Sequence, residues 1–223
     1  MLAHEIKNPL SGIRGAAQLL VGTPDGEAAA LPDLIIAEVD RIAALIDRMQ
    51  DFTDTRPCVV EPLNLYPLID HARRLAEAGF ARDVQFEERF DPSLPLVLAN
   101  RDALMQILLN LLKNAADATA HQADRRITLA TTYRHGMAAS AGAGKPRRPL
   151  PIELAVIDNG PGAPEDLVDQ LFDPFVSSKP EGRGLGLALV DKLARDMNGI
   201  AHYAREGAPE VTVLRILLPR ATS

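Results

Sequence analysis

Apolar side chains recur along the first fifty residues at the spacing of an amphipathic helix. They fall at i, i+4, i+7, i+11 and i+14 in two stretches, each one stripe of a 3.6-residue period. Gly22 and Pro24 end the first stretch, and Pro32 starts the second. The stripes are Ile6, Leu10, Ile13, Ala17 and Leu20, then Ile35, Val39, Ile42, Ile46 and Met49. Two helices cannot bury both stripes, so we expect this hairpin to pair with a second copy in a homodimeric four-helix bundle.

The pattern changes to alternating strands mixed with helices after a predicted linker at residues 56–62. We predict helices over 65–78, 101–119 (capped by Asn100) and 188–197, and strands over 84–90, 96–98, 127–133, 152–157, 201–204 and 211–218. These elements interleave without a regular βαβ repeat. The fold class predicted is therefore α+β, with a sandwich built on a mixed sheet. The predicted domains are residues 1–56 and 57–223.

Composition narrows the class of protein. Hydrophobic residues make up 47% and charged residues 24%, which is typical of a globular protein. The net charge of -6 argues against a nucleic-acid binder that relies on a positive field. No apolar run approaches the ~18 residues of a membrane span. The single cysteine, Cys58, cannot form an intrachain disulfide, and we expect a reducing, cytoplasmic location without membrane association.

The segment 134–151 consists largely of Ala, Gly, Pro, Lys and Arg and contains no acidic residue. We predict a mobile, solvated loop, with a basic partner-binding loop as the alternative. Gly144-Lys145 is not a P-loop, because Ala139 stands where the first glycine should be and Pro146 where Ser or Thr should hold magnesium.

A candidate nucleophile lies at the start of the first helix. His4 falls about 160–200° around the helix from the apolar stripe, so its imidazole should face solvent. Asn8 shares that face, and Glu5 is close enough to polarise the ring or take its proton. Pro9 removes a helical hydrogen bond and should kink the helix there. The alternative is a surface histidine that happens to adjoin a glutamate.

Two amides lie on one face of the predicted 101–119 helix, because Asn110 and Asn114 are four residues apart. Amide oxygens arranged in this way can hold a Mg²⁺ ion that keeps water and phosphate ligands. Lys113 and Asp117 flank the same face. The alternative is a structural role for the pair in capping or in a polar network.

Asp158 ends an apolar strand and leads into Gly160 and Gly162. A carboxylate there can accept a hydrogen bond from the exocyclic amine of adenine, and the glycines let the backbone approach the base. The alternative is a tight turn with no ligand.

Gly182, Gly184 and Gly186 open the predicted helix near residue 188. Glycines at a helix N-terminus present backbone N–H groups and the positive end of the helix dipole to phosphate. Lys179 and Arg183 could add positive charge there. The G-x-G-x-G spacing differs from the Rossmann fingerprint.

Residues 4–9, 110–115, 158–162 and 182–186, in this order, resemble the transmitter region of two-component sensor histidine kinases, with HisKA and HATPase_c domains. The resemblance implies a Bergerat-type ATP-binding fold, with ATP and Mg²⁺ as cofactors. It also implies autophosphorylation of His4 and transfer to an aspartate of a response regulator. Phe175 would belong to the F box, Leu185 to the second glycine box and Thr212 to the last family motif.

Within that family the chain looks most like the nitrogen-regulation kinases of the NtrB type. This resemblance implies an NtrC-like receiver domain as partner, control by a PII-type signal protein, and a role for Asn8 in dephosphorylating the partner. Only three residues precede His4, so we expect the first helical turn to fray. One alternative is a fragment that binds nucleotide but is catalytically silent and acts by association. Another is a gyrase-type ATPase, which would need a carboxylate base where this chain has Asn110.

Overall fold

The computed structural model describes residues 10–17, 35, 36, 39, 42, 58–139, 148–177 and 184–221. The chain divides into two compact units, Met1–Thr55 and Arg56–Ser223. The described residues of the first unit are helical, as the apolar stripes predict for those positions. The rest of the predicted hairpin lies outside the described residues. Within the part of the chain that is described, no helix is long and apolar enough to cross a membrane.

The second unit has helices packed on one face of a sheet. The helices are α1 (Leu65–Ala78), α2 (Arg101–Ala118) and α3 (Gly186–Asp196), with a 3₁₀ helix at Glu165–Gln170. The strands are β1 (Glu61–Leu63), β2 (Gln85–Arg89), β3 (Val97–Ala99), β4 (Arg126–Tyr133), β5 (Ala138–Ala139), β6 (Arg148–Pro149), β7 (Ile152–Asp158), β8 (Ile200–Glu206) and β9 (Val211–Leu218).

The main sheet has five strands in the order β2-β4-β7-β9-β8. The pair β2–β4 is parallel, and the other pairs are antiparallel. The predicted α+β class with a mixed sheet is therefore confirmed. The register sets Asp158 on β7 opposite Thr212 on β9, and Thr212 opposite Arg205 on β8. Three neighbouring strands thus bring these side chains together at one end of the sheet.

The core of the second unit lies between the sheet and the helices. Alternate residues of β4, β7 and β9 face α1 and α2, and join their inner side chains in one buried cluster. The largest fully buried side chains are Leu and Ile. This agrees with the low aromatic content of the chain, 4%. Since each element contributes close-packed aliphatic groups, the ends of α2, β7 and β9 are held in fixed positions.

Local capping explains why the predicted limits of α1 agree with the structure. The side chain of Asn64 accepts a hydrogen bond from Tyr66 N at 3.1 Å, which satisfies one of the first N–H groups. At the other end, Gly79 N donates to Leu75 O and Ala76 O. Asn100 likewise caps α2, accepting from Ala103 N at 3.0 Å.

The structure corrects the predicted linker at 56–62. Residues 61–63 form β1, which pairs antiparallel with β3. Pro62 does not prevent this pairing, because a proline is tolerated in an edge strand where its missing N–H is not needed. The last residue of the strand, Leu63, packs in the buried cluster.

The predicted loop at 134–151 is also partly wrong. Its two ends form the short antiparallel pair β5–β6, and Leu150 N donates to Met137 O at 2.9 Å beyond that pair. Leu150 is only 1% exposed, so burial of its side chain accompanies the ordering of this segment. Residues 140–147 lie outside the described residues.

Candidate nucleotide-binding site

The two amides of α2 lie against the start of α3. Asn110 Nδ2 donates to Gln106 O at 2.8 Å, so the amide oxygen Oδ1 points away from Gln106 O. A methyl group placed at Gly186 would lie 3.3 Å from Asn110 Oδ1 and 3.9 Å from Asn114 Nδ2. Both amides therefore border the backbone at the first residue of α3, and glycine keeps that space open.

The residue before α3 leaves the helix start without a side-chain cap. Leu185 is 7% exposed and makes no capping hydrogen bond. The first N–H groups of α3 therefore receive no cap from it, and the positive end of the helix dipole lies beside the two amides. This is a suitable environment for a phosphate group.

Gly184 is in direct contact with the segment that contains Phe175. Phe175 N donates to Gly184 O at 2.9 Å. A methyl group at Gly184 would lie 2.4 Å from Phe175 C and from Val176 N, and Gly184 has φ +63°. Phe175 itself has φ +69°. Both the backbone angle and the contact exclude a side chain at Gly184. Residues 175–176 therefore pack directly against Gly184, two residues before α3 begins.

The turn after β7 rests on the C-terminal end of α2. Asp158 is 3% exposed, and its Oδ1 accepts from Gly160 N at 2.9 Å. A methyl group at Gly160 would lie 2.8 Å from Ala118 O and 2.9 Å from Ala118 Cβ. The absence of a side chain at Gly160 thus lets the turn approach the helix closely.

Both glycine-rich segments therefore meet one face of α2. Residues 110, 114 and 118 are spaced at i, i+4 and i+8 and form a single stripe along the helix. Gly186 packs beside the first two of these positions, and Gly160 packs beside the third. The sequence predicted each segment separately. The fold brings them together along a common helix.

Thr212 lies beside Asp158 and is 5% exposed. Its hydroxyl oxygen accepts from Arg205 Nη1 at 3.1 Å. Arg205 and Tyr203, two residues apart on β8, belong to none of the sequence motifs. The available signal was a charged residue on the helix-facing side of a strand, because such a residue needs a polar partner.

Most of the remaining predicted residues of this site are exposed or lie outside the described part of the chain. Lys113 and Asp117 are exposed on α2, and Gly162 follows Gly160 in the turn with φ +82°. Six predicted residues lie outside the described part of the chain, so their roles stay predictions: His4, Glu5, Asn8, Lys179, Gly182 and Arg183.

A second charged cluster lies on the face of the sheet opposite the helices. Glu153 is 5% exposed and forms ion pairs with Arg134 and with Arg215, the latter at 3.1 Å. Arg215 also pairs with Glu206, and this holds the pKa of the Glu206 carboxyl below its usual value. The cluster borders a cavity of about 290 Å³ between the sheet and the β5–β6 segment. The two arginines of the cluster pair with its two glutamates, so we interpret the cluster as a structural contact that holds the β5–β6 segment on the sheet.

The site formed by α2, the start of α3 and the turn after β7 has the chemistry to bind a magnesium nucleotide. A buried carboxylate beside a hydroxyl can accept from the amine of adenine, and an uncapped helix start can bind phosphate. Amide oxygens of Asn110 and Asn114 are the hard ligands that Mg²⁺ prefers, and the open space at Gly186 leaves room for the ion and its phosphate. The residues present therefore fit the group.

The family can be assigned on this basis. The chain belongs to the histidine kinase-, DNA gyrase B-, and HSP90-like ATPase family, whose model matches residues 99–222. The model of the His Kinase A (phospho-acceptor) domain matches residues 1–57. The order of the two domains is the one that the sequence motifs predict.

Individual relatives are consistent with this assignment. The Rhizobium meliloti (strain 1021) protein named sensory histidine kinase/phosphatase NtrB is 50% identical over 219 residues, which cover 98% of this chain and 57% of the relative. This chain thus spans little more than half the length of that relative. The solved structure of full-length ShkA in complex with AMPPNP has a TM-score of 0.66 and 26% identity, and covers 100% of this chain and 45% of that one. Histidine kinase ThkA, solved in complex with response regulator protein TrrA, shares the fold with a TM-score of 0.70, 23% identity and coverage of 99% and 60%.

Proposed function

We propose that this chain is an ATP-dependent protein-histidine kinase of the nitrogen-regulation type. The observation that carries the proposal is the convergence of Gly160 and Gly186 on the face of α2 that bears Asn110 and Asn114. It supports a single nucleotide site that binds the base at one end and the phosphates at the other. The similarity to NtrB over 98% of the chain supports the nitrogen-regulation subfamily.

In this proposal the ATP-binding unit holds the nucleotide for attack by a histidine. Asp158 and Thr212 bind the adenine edge, the start of α3 binds the phosphates, and Asn110 with Asn114 holds Mg²⁺. Held by these amides, a Mg²⁺ ion would supply positive charge to the phosphate oxygens. Lys113, Lys179 and Arg183 supply further positive charge, and Asp117 lies on the same helix face as the amides.

The phosphoryl step uses the predicted nucleophile. A ring nitrogen of His4 attacks the γ-phosphorus, the bond from that phosphorus to the β,γ-bridging oxygen breaks, and ADP leaves. Glu5 takes the ring proton, so the imidazole becomes neutral phosphohistidine. The phosphoryl group then passes to a carboxylate oxygen of an aspartate on the partner as the nitrogen–phosphorus bond breaks, and Glu5 returns the proton to the ring, which regenerates His4. Asn8 orients a water molecule for the opposing phosphatase activity, in which the phosphorylated partner is hydrolysed.

The two units have separate duties in the proposal. Residues 1–56 form the dimerisation and phosphotransfer hairpin, and residues 57–223 form the catalytic unit. Leu10 and Val39 belong to the predicted apolar stripes, yet they are 50% and 49% exposed in the single chain. Exposed apolar positions on both helices support burial against a second copy.

We assign an NtrC-like receiver domain as the phosphate acceptor and the cytoplasm, where ATP is available, as the site of action. ThkA, which shares the fold, was solved in complex with a response regulator. Control by a PII-type signal protein, which the resemblance to the NtrB kinases implies, also forms part of the proposal.

The test is incubation with γ-labelled ATP and Mg²⁺, followed by addition of an NtrC-type receiver domain. The variants are His4→Gln and, as a matched control, the exposed His135→Gln. We expect acid-labile, base-stable label on the wild type and on His135→Gln, none on His4→Gln, and loss of label to the receiver domain. Label that persists on His4→Gln, or a wild type that binds ATP and acquires no label, would contradict the proposal.

A further inference from the structure

Strand β8 directs two long side chains toward the turn that follows β7. Tyr203 and Arg205 alternate with residues of the opposite face, so both lie on the side of the sheet that the helices cover. Arg205 is in register with Thr212, which is in register with Asp158. The side chain of Arg205 therefore lies next to the proposed adenine-binding pair, although it belongs to none of the sequence motifs.

Arg205 and Tyr203 hold this turn from two points. Arg205 Nη1 donates to Gly160 O at 2.9 Å and to Thr212 Oγ1 at 3.1 Å. The hydroxyl of Tyr203 accepts from Ala163 N at 2.8 Å. The backbone at residues 160–163 is thereby fixed at its beginning and at its end by side chains of β8.

The second glycine of the turn is fitted to the same two side chains. A methyl group at Gly162 would lie 2.8 Å from Arg205 Cδ and 3.0 Å from the hydroxyl oxygen of Tyr203. Gly162 also has φ +82°. The space that a side chain at this position would need is thus filled from within the protein, which accounts for this glycine without reference to a ligand.

The hydrogen bond from Arg205 also fixes the polarity of the Thr212 hydroxyl. A guanidinium donates and cannot accept, so Thr212 must accept from it and must direct its own proton elsewhere. Thr212 is 5% exposed, and Asp158 is its neighbour across the sheet. The hydroxyl proton of Thr212 is therefore available for donation toward Asp158, where the base would bind.

We propose that Arg205 is a positioning residue for adenine recognition, which holds the Asp158 turn in place and orients the Thr212 hydroxyl toward the base. This inference rests on the proposed function, because it requires an adenine nucleotide at Asp158. Arg205 acts through Gly160 and Thr212 and need not touch the nucleotide itself. Its effect should therefore be on which base is bound.

The experiment compares the equilibrium binding of ADP and IDP, with Mg²⁺, to the full chain and its variants. Hypoxanthine replaces the exocyclic amine of adenine by a carbonyl, so the ratio of the two affinities measures how well the base is read. The variants are Arg205→Met, which keeps the stem, and Arg205→Lys, which keeps one donor. Glu210→Gln is the matched control, because Glu210 contacts only the outer nitrogen Nη2 of Arg205, at 3.4 Å.

For Arg205→Met, which loses the hydrogen bonds to Gly160 O and Thr212 Oγ1, we expect ADP affinity to fall about tenfold. The preference for ADP over IDP should fall with it, whereas Arg205→Lys should recover part of both and Glu210→Gln should keep both. A folded Arg205→Met that retains the wild-type preference would overturn the inference. A wild type that binds neither nucleotide would instead refute the proposed function.

A double-mutant cycle makes the test independent of the folding of Arg205→Met. Thr212→Val removes the hydroxyl while keeping the shape of the side chain. If Arg205 acts through Thr212, then Arg205→Lys should change base preference much less in the Thr212→Val background than in the wild type. Equal changes in both backgrounds would count against orientation of the hydroxyl.

Discussion

Substitution of Gly184 by alanine tests whether the segment at 175–176 helps to set the phosphate-binding end of the site. Gly184 has φ +63°, and a methyl group there would lie 2.4 Å from Phe175 C and Val176 N. The left-handed backbone costs an alanine about 1–2 kcal/mol. Displacing backbone atoms to admit a methyl group costs typically about 1–3 kcal/mol more. The total strain is then about 2–5 kcal/mol.

This strain should act locally. Phe175 and Val176 do not belong to the buried cluster, so the contact can be relieved by movement of these residues or of the approach to α3. Such movement would shift Leu185 and Gly186, whose backbone precedes and begins the helix. We therefore expect weaker nucleotide binding with little change in the thermal midpoint of the unit.

The assay is fluorescence titration with a labelled ADP in Mg²⁺, with Gly136→Ala as the control. Gly136 has a similar φ of +77° but no atom within 4 Å of the added methyl group, so it reports the backbone cost alone. Gly184→Ala should lose about tenfold or more in affinity, equivalent to about 1.4 kcal/mol or more of the strain. Gly136→Ala should bind as the wild type does. Equal affinity of Gly184→Ala and wild type would refute the reasoning.

Three further predictions concern the charged cluster and the metal. Arg215→Gln leaves buried Glu153 with Arg134 as its one remaining ion-pair partner among the described residues, so urea titration should show a loss of about 1–3 kcal/mol in unfolding free energy, while ADP binding is retained. Arg215 lowers the pKa of the Glu206 carboxyl in the folded state. The carboxylate therefore stabilises the fold at pH values above its unfolded pKa of about 4.5, and this contribution is lost as the pH falls through the lower folded pKa. The thermal midpoint of wild type should accordingly fall more steeply below about pH 4.5 than that of Glu206→Gln. Asn114→Ala should weaken ADP binding in Mg²⁺ and leave binding in EDTA unchanged, as measured by calorimetry; equal losses in both buffers would argue against a metal role.

The helix limits that the sequence predicts best are those fixed by local chemistry. Asn64 and Gly79 delimit α1 through hydrogen bonds within a few residues of each end, and both residue types carry a recognisable signal. The long central strands were also predictable, because their apolar runs are continuous or alternating. In each case the information needed is contained in adjacent residues.

The elements that the sequence did not predict depend on partners that are distant along the chain. Strand β1 has three residues and exists through pairing with β3, more than thirty positions away. Strands β5 and β6 have two residues each and pair only with one another among the described strands. Runs this short show no periodicity, and Pro62 and Pro149 suggest loops. Tertiary pairing overrides these local signals.

The same distinction applies to the site. The motif residues Asn110, Asp158 and Gly186 could be predicted, since their types and spacings match a known chemistry. The roles of Arg205 and Tyr203 could not, because they depend on strand register, which sets Arg205 beside Thr212. Register is a property of the whole sheet, and a strand pattern alone does not specify which residue of the neighbouring strand will be opposite.

The stripe on α2 explains how motifs separated by many residues can define one site of fixed dimensions. Residues 110 and 118 are eight positions apart, which corresponds to about 12 Å along the helix axis. The opposite side of α2 is anchored by Leu108 and Leu112, both fully buried, so the helix cannot slide or rotate without disturbing the core. Gly160 and Gly186 each approach this helix so closely that the start of α3 and the turn after β7 are positioned by α2. The separation between the proposed base and phosphate ends is therefore set by a rigid helix.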